Sequence, residues 1–182
     1  MFGLLLGIIY ISFISLGLPD ALLGSGWPII HEELNVPVSY AGIVSMIITI
    51  GTIISSFFSD KVIRKFGTGL VTAISVAMTA FALFGFSVSS HFWMLCLFSI
   101  PYGLGAGSVD AALNNFVALH YKARHMSWLH CFWGVGASLG PVIMGQCLIN
   151  GKHWNLGYEI VSFLQFGLSV ILFCSLFLWK IK

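Results

Sequence analysis

The sequence predicts an all-α membrane protein whose six transmembrane helices form a 3+3 inverted-repeat bundle. Hydrophobic residues fill 58% of the chain and charged ones only 8%. A soluble domain of this size needs far more charge to cover its surface, so lipid is the expected solvent. Six apolar runs are long enough to cross a bilayer core, which takes about 20 helical residues. A motif on the first run also returns ninety residues later on the fourth.

The runs are placed at 3–26, 38–59, 68–88, 92–118, 128–149 and 158–179, making one six-helix domain over 1–182. Span 1 carries Gly17-Leu18-Pro19-Asp20 and gives way to His31-Glu32-Glu33-Leu34-Asn35. It lacks a basic flank and is longer than a cleavable signal. Span 2 bears a small face, Gly51 with Ser55, Ser56 and Ser59, before Ser59-Asp60-Lys61. Span 3 stops at Ser89-Ser90-His91. Span 4 holds Pro101, Gly103-x-x-x-Gly107 and Asp110, and leads into Tyr121-Lys122-Ala123-Arg124. Span 5 holds Gly136-x-x-x-Gly140-Pro141 and ends at Asn150-Gly151-Lys152. Span 6 closes the chain. Small faces of this kind let membrane helices approach closely, and Pro19, Pro101 and Pro141 are expected to bend theirs.

Six spans put both termini on one side. Lys61, Arg64, Lys65, Lys122, Arg124, Lys180 and Lys182 then share that side, with only Lys152 opposite. Such a bias predicts cytoplasmic termini. Trp27, Trp93, Trp128, Trp154 and Trp179 fall near predicted span ends, as an interfacial belt would have them. Cys96, Cys131, Cys147 and Cys174 lie in apolar runs without metal or disulfide spacing, and read as packing residues. No metal or bound cofactor is expected.

The recurring motif pairs Gly17-Leu18-Pro19-Asp20-Ala21-Leu22-Leu23-Gly24 with Gly107-Ser108-Val109-Asp110-Ala111-Ala112-Leu113-Asn114. Gly, Asp, Ala and Leu recur in register. Span 1 and span 4 run in opposite directions, so a three-helix repeat would be inverted, with its functional site where the repeats meet. Asp20 and Asp110 are ionisable groups inside apolar spans, which by default mark a substrate or proton path. A carboxyl whose charge follows the hydration of a cavity can couple proton movement to conformational change. The plainer reading is a carboxyl that only holds a helix break, and for Asp20 the adjacent Pro19 favours it.

Asn114 stands one turn from Asp110 on the same face, and His130 enters span 5 at nearly the depth where Asn114 leaves span 4. Asp110, Asn114 and His130 can therefore form a cluster suited to a hydroxyl-rich solute, or simply an interhelical hydrogen bond. Gln146 and Gln165 are weaker cavity candidates. Enzymatic readings fare poorly. An intramembrane serine protease needs Gly-x-Ser-Gly, yet Gly24-Ser25-Gly26 follows Leu23 and Gly107-Ser108 precedes Val109, and span 6 has no His. No phosphate loop of the Gly-x-x-x-x-Gly-Lys type and no basic patch for nucleic acid is present.

The connection after span 2 resembles the signature of the major facilitator superfamily, Gly-x-x-x-Asp-(Arg/Lys)-x-Gly-(Arg/Lys)-(Arg/Lys). Asp60, Lys61, Arg64 and Lys65 match it, while Ser56 and Ile63 replace its glycines. Gly17–Asp20, Ser108–Asn115 and His130–Gly136 resemble the fucose–proton symporter branch. The resemblance implies half of a major facilitator fold, the amino-terminal one, in a plasma membrane. It also implies proton-coupled movement of a sugar or other small polar solute, with Asp20 and Asp110 in coupling and binding. Asp60, Lys61, Arg64 and Lys65 would form a gating loop against a second six-helix half. That half would be a separate chain, a missing carboxy-terminal part or a second copy. The alternative is a truncated or half-size membrane module that does not transport alone.

Overall fold

A computed structural model describes residues 2–179; Lys180 and Lys182 lie outside them. Seven α-helices build six spans: α1 (Phe2–Asp20) and α2 (Leu22–Glu33) together, then α3 (Ala41–Phe66), α4 (Thr68–Ser87), α5 (Phe92–His120), α6 (Ala123–Ile149) and α7 (Trp154–Cys174). Each of the six is long and apolar enough to cross a bilayer.

Spans 3 and 5 end within a residue of the expected 88 and 149, but spans 1 and 2 run past the polar residues taken as their stops. Span 1 runs to Glu33 and span 2 to Phe66, because charge alone does not unwind a helix. The chain turns where its residues tolerate positive φ: Asn35 at 54°, Gly67 at 81° and Gly151 at 68°. The Asp60–Lys65 segment is thus the last turns of span 2 rather than a loop. Neither Ser56 nor Ile63 makes the turn; Gly67 does. Span 5 starts five residues early, at Ala123, and span 6 covers Trp154–Cys174 before a short 3₁₀ turn, Leu176–Trp179.

The packing follows the repeat. Span 1 lies along span 5, and span 2 along span 4; span 3 packs on spans 4 and 6. Exchanging spans 1, 2, 3 for 4, 5, 6 turns the first contact into the second and maps the contact of spans 3 and 6 onto itself. The matched glycines, Gly17 and Gly107, both sit at these crossings. A Cβ on Gly17 would collide with the Trp133 carbonyl oxygen, and one on Gly107 with the Ser55 hydroxyl and the Thr52 carbonyl. Gly136 and Gly140 press equally closely on the Ile14 and Leu18 carbonyls, and Gly103 on that of Ile48. Backbone approach this close is the reward for small residues where lipid supplies no hydrophobic drive between helices.

Spans 2 and 5 bury the smallest share of their residues. Ser45, Thr49 and Ser56 on span 2, and His130, Trp133 and Ser138 on span 5, are exposed. Two of the expected belt tryptophans are clamps instead. Trp27 is buried and donates to the Val38 carbonyl at 2.7 Å, while Trp154 is buried and donates to Glu33 Oε2 at 2.7 Å. Trp93 and Trp128 are exposed, as a belt requires. Of the cysteines, Cys96 and Cys147 are packed inside, whereas Cys131 and Cys174 are exposed on the bundle surface.

Candidate functional site

Pro19 creates the site's backbone. A proline has no N–H, so the carbonyl four residues back, at Ser15, loses its helical donor. Gln165 of span 6 replaces it, donating Nε2–H at 2.8 Å, while its Oε1 accepts from the Thr79 hydroxyl of span 3 at 2.7 Å. Gln165 is buried and does not line the Asp20 cavity; it is a splint. One residue beyond Pro19, α1 ends at Asp20 and the helix resumes at Leu22. Interrupted helices at membrane depth are tolerated where they are packed in protein or line a cavity.

The Asp20 carboxylate stands at that interruption. Tyr102 of span 4 donates its hydroxyl to Oδ1 at 3.0 Å, and Trp133 of span 5 donates Nε1–H to Oδ2 at 2.8 Å. One side chain thereby ties the first repeat to both spans of the second that matter for its surroundings. Tyr102 is buried; Trp133 keeps 39% of its surface exposed, so the Asp20–Trp133 pair is reachable from the open face. Beside it lies a cavity of about 350 Å³, within the range of small-molecule sites. Pro19, Asp20, Leu23 and Gly24 form one wall and Ala41, Ser45, Ile48 and Thr49 another; Leu83, Phe86, Tyr102 and Tyr158 close the back. The lining pairs one carboxylate and several hydroxyls with aliphatic and aromatic surface.

Asp110 lies eight residues beyond Tyr102 on span 4, about 12 Å along the axis at 1.5 Å per residue. Tyr102, Ala106, Asp110 and Asn114 thus share one stripe. Asn114 Nδ2 donates to the Asp110 carboxylate at 2.9 Å and to its carbonyl at 3.0 Å. Asn114 Oδ1 is buried without a hydrogen-bond partner, an acceptor left over for something else. His130 packs edge-on against Phe13 with ring centres 6.2 Å apart. Among the described residues no hydrogen bond joins it to Asp110. The deeper cluster is therefore Asp110 with Asn114, and His130 is a neighbour rather than a bonded member.

The remaining candidates are dispersed. Gln146 lines a different groove, between spans 5 and 6. Asp60 pairs with Arg64 at 3.0 Å on the exposed end of span 2, while Lys61 and Lys65 rest over Phe58 and Phe66. Among the described residues no three His, Cys, Asp or Glu side chains gather as a metal would require.

Tyr102 and Trp133 are the site residues that motif reading missed. Both left a trace. Tyr102 is two turns from Asp110 on one face, and Trp133 is the single tryptophan of six away from any predicted span end. Tyr10 and His125, hydrogen-bonded at 2.7 Å between spans 1 and 5, also went unnoticed. Glu159 is half-buried and falls in the second turn of span 6, where the predicted boundary had left it at a helix end.

Known proteins resemble this chain in sequence. Synaptic vesicle glycoprotein 2C of Rattus norvegicus is 27% identical over 82% of this chain and 21% of its own length. The glucose/mannose transporter GlcP of Bacillus subtilis is 22% identical over 88% of this chain and 40% of its own. The quinolone resistance protein NorA of Staphylococcus aureus is 26% identical over 75% and 35%. The chain thus spans two-fifths or less of these relatives. Residues 9–182 match the sequence pattern of the Major Facilitator Superfamily, and with a six-helix 3+3 bundle and intramembrane carboxyls already in view, the chain belongs to that superfamily.

Proposed function

We propose that this chain is the amino-terminal half of a secondary active transporter that moves a sugar or other small polar solute together with protons. One observation carries the reading: a carboxylate held between two repeats, at a helix break, on the wall of a cavity of about 350 Å³. The Asp20 oxygens accept from spans 4 and 5. A proton on Asp20, or a solute hydroxyl competing for Tyr102 or Trp133, loosens that tie and lets the repeats shift. Asp110 and Asn114 offer a second polar step deeper on the same stripe.

The fucose–proton symporter likeness and the glucose/mannose transporter relative support a sugar. The basic residues Lys61, Arg64, Lys65, Lys122 and Arg124, at the span 2–3 and span 4–5 connections, support cytoplasmic termini in a plasma membrane. The polar residues exposed on spans 2 and 5 support a second six-helix half, since hydroxyls and an imidazole facing hydrocarbon are costly. Alternating access needs two such bodies. A half-size module that does not transport alone remains the alternative, and crosslinking in the membrane separates the two. A second solute reading, export of an amphipathic quinolone-like compound, is favoured by the aliphatic and aromatic walls around Asp20 and by the quinolone resistance relative.

The test is solute uptake into proteoliposomes under an imposed pH gradient, with the chain and its second half co-reconstituted. Asp20→Asn and Asp110→Asn are expected to lose gradient-driven accumulation. Equal transport by parent and variants removes the carboxylates from the mechanism. Competition by sugars but not by quinolones favours the sugar reading, and the reverse favours export.

A further inference from the structure

Between the ends of spans 5 and 6 runs a groove of about 550 Å³ with mostly apolar walls, sharing no residue with the Asp20 cavity. Val142, Gln146 and Asn150 line it at helical spacing from span 5; Lys152, Leu156 and Ile160 face them across the turn at Gly151. From Val142 to Asn150 the groove is about 12 Å long, enough for the upper part of one acyl chain. Its chemistry is graded. The far end is aliphatic, while the end at the turn carries Asn150 and Lys152, where the bilayer meets water.

Among the described residues, two polar side chains there have no protein partner to satisfy them. Lys152 is exposed and belongs to neither ion pair among the described residues. Gln146 is exposed one turn inside the span; the Asn150 amide donates to its backbone carbonyl, not to its side chain. An amide bordering hydrocarbon without a partner is costly, and a lone ammonium at the interface attracts an anion.

We infer that this groove holds one acidic phospholipid, its phosphate on the Lys152 ammonium, an ester carbonyl on the Gln146 amide and an acyl chain along Val142, Leu156 and Ile160. Charge complementarity selects this occupant over a protein helix. An apolar helix would cover the aliphatic wall but leave Lys152 unneutralised, whereas an acidic lipid satisfies both. The site is independent of the proposed transport.

The experiment places the full chain in nanodiscs of three parts phosphatidylcholine to one part phosphatidylglycerol. It then extracts the chain gently and counts retained lipid by native mass spectrometry. Parent protein is expected to retain phosphatidylglycerol above its share of the mixture. Lys152→Gln should cut that preference about fivefold, the worth of one lysine near an anionic surface, and Lys152→Arg should keep it. Gln146→Leu should lower total retention without changing the preference. Lys61→Gln, at the end of span 2, serves as the control. Circular dichroism shows which variants are folded, and the Arg variant keeps the charge argument testable if the Gln variant is not. Retention at the bulk ratio by the parent, or equal loss in Lys152→Gln and Lys61→Gln, overturns the assignment.

Discussion

Replacing Gly17 by alanine should separate spans 1 and 5 and pull the Asp20 site apart. The added Cβ would lie 2.8 Å from the Ala137 nitrogen, and closer still to the Trp133 carbonyl oxygen. Ordinary contact begins near 3.4 Å, so the two helices must part by at least about 0.6 Å, a value set by the nitrogen alone. Carried to the Trp133–Asp20 bond, that shift lengthens 2.8 Å to about 3.4 Å, at the edge of hydrogen bonding. Overpacking costs about 1–3 kcal/mol, and weakening a bond to a charged acceptor adds about 1 kcal/mol at a site this open. The expected loss is about 3 kcal/mol, taken from the middle of those ranges. Gly7 is the control. It lies on the same span with nothing within 4 Å of its missing Cβ, so Gly7→Ala should be neutral, or stabilising by about 0.5–1 kcal/mol through helix propensity. Reversible unfolding in mixed micelles measures both. If Gly17→Ala is as stable as Gly7→Ala, the close crossing of spans 1 and 5 is not real, and the seat of Trp133 goes with it.

Gln165→Leu should cost about 1–2 kcal/mol, the scale of interhelical hydrogen bonds in membranes. In a double-mutant cycle with Thr79→Val the losses should fall short of additive, because both remove the bond at 2.7 Å; full additivity contradicts the splint. Gly67→Ala should destabilise by about 1–3 kcal/mol, since φ 81° with ψ 151° suits glycine alone, whereas Ile63→Gly should leave the turn in place. Asn114→Leu should lower gradient-driven transport about tenfold, the loss of one charge-assisted bond. Its melting temperature should stay unchanged, and a stability loss matching the transport loss would make Asn114 structural.

The spans were legible because twenty apolar residues in a row leave few alternatives. The repeat was legible because Gly, Asp, Ala and Leu kept their register across eight positions. The ends of spans 1 and 2 were not. Asp60 and Glu33 look like loop residues in a hydropathy reading, but helices end on backbone geometry, and Asn35, Gly67 and Gly151 supply it. Asp20 and Asp110 stood out because intramembrane carboxyls are rare. Asn114 was legible one turn from Asp110, but the partners of Asp20 were not, since Tyr102 and Trp133 are common in apolar spans and acquire meaning only when helix packing brings them to Asp20. Gln165 shows the same gap. Its role depends on a carbonyl freed by Pro19, 146 positions earlier in the chain, which no local pattern announces.

Water at Asp20 is the central claim, and cysteine accessibility tests it most directly. In a background with the four native cysteines replaced, Ser45→Cys and Thr49→Cys on the cavity wall should react with a membrane-impermeant thiol reagent, and solute should slow the reaction. Ile11→Cys and Val170→Cys, exposed on the bundle surface away from the cavity lining, should stay unreactive. Silence at Ser45 and Thr49, equal to that at Ile11 and Val170, would mean that hydrocarbon rather than a vestibule surrounds the carboxylate.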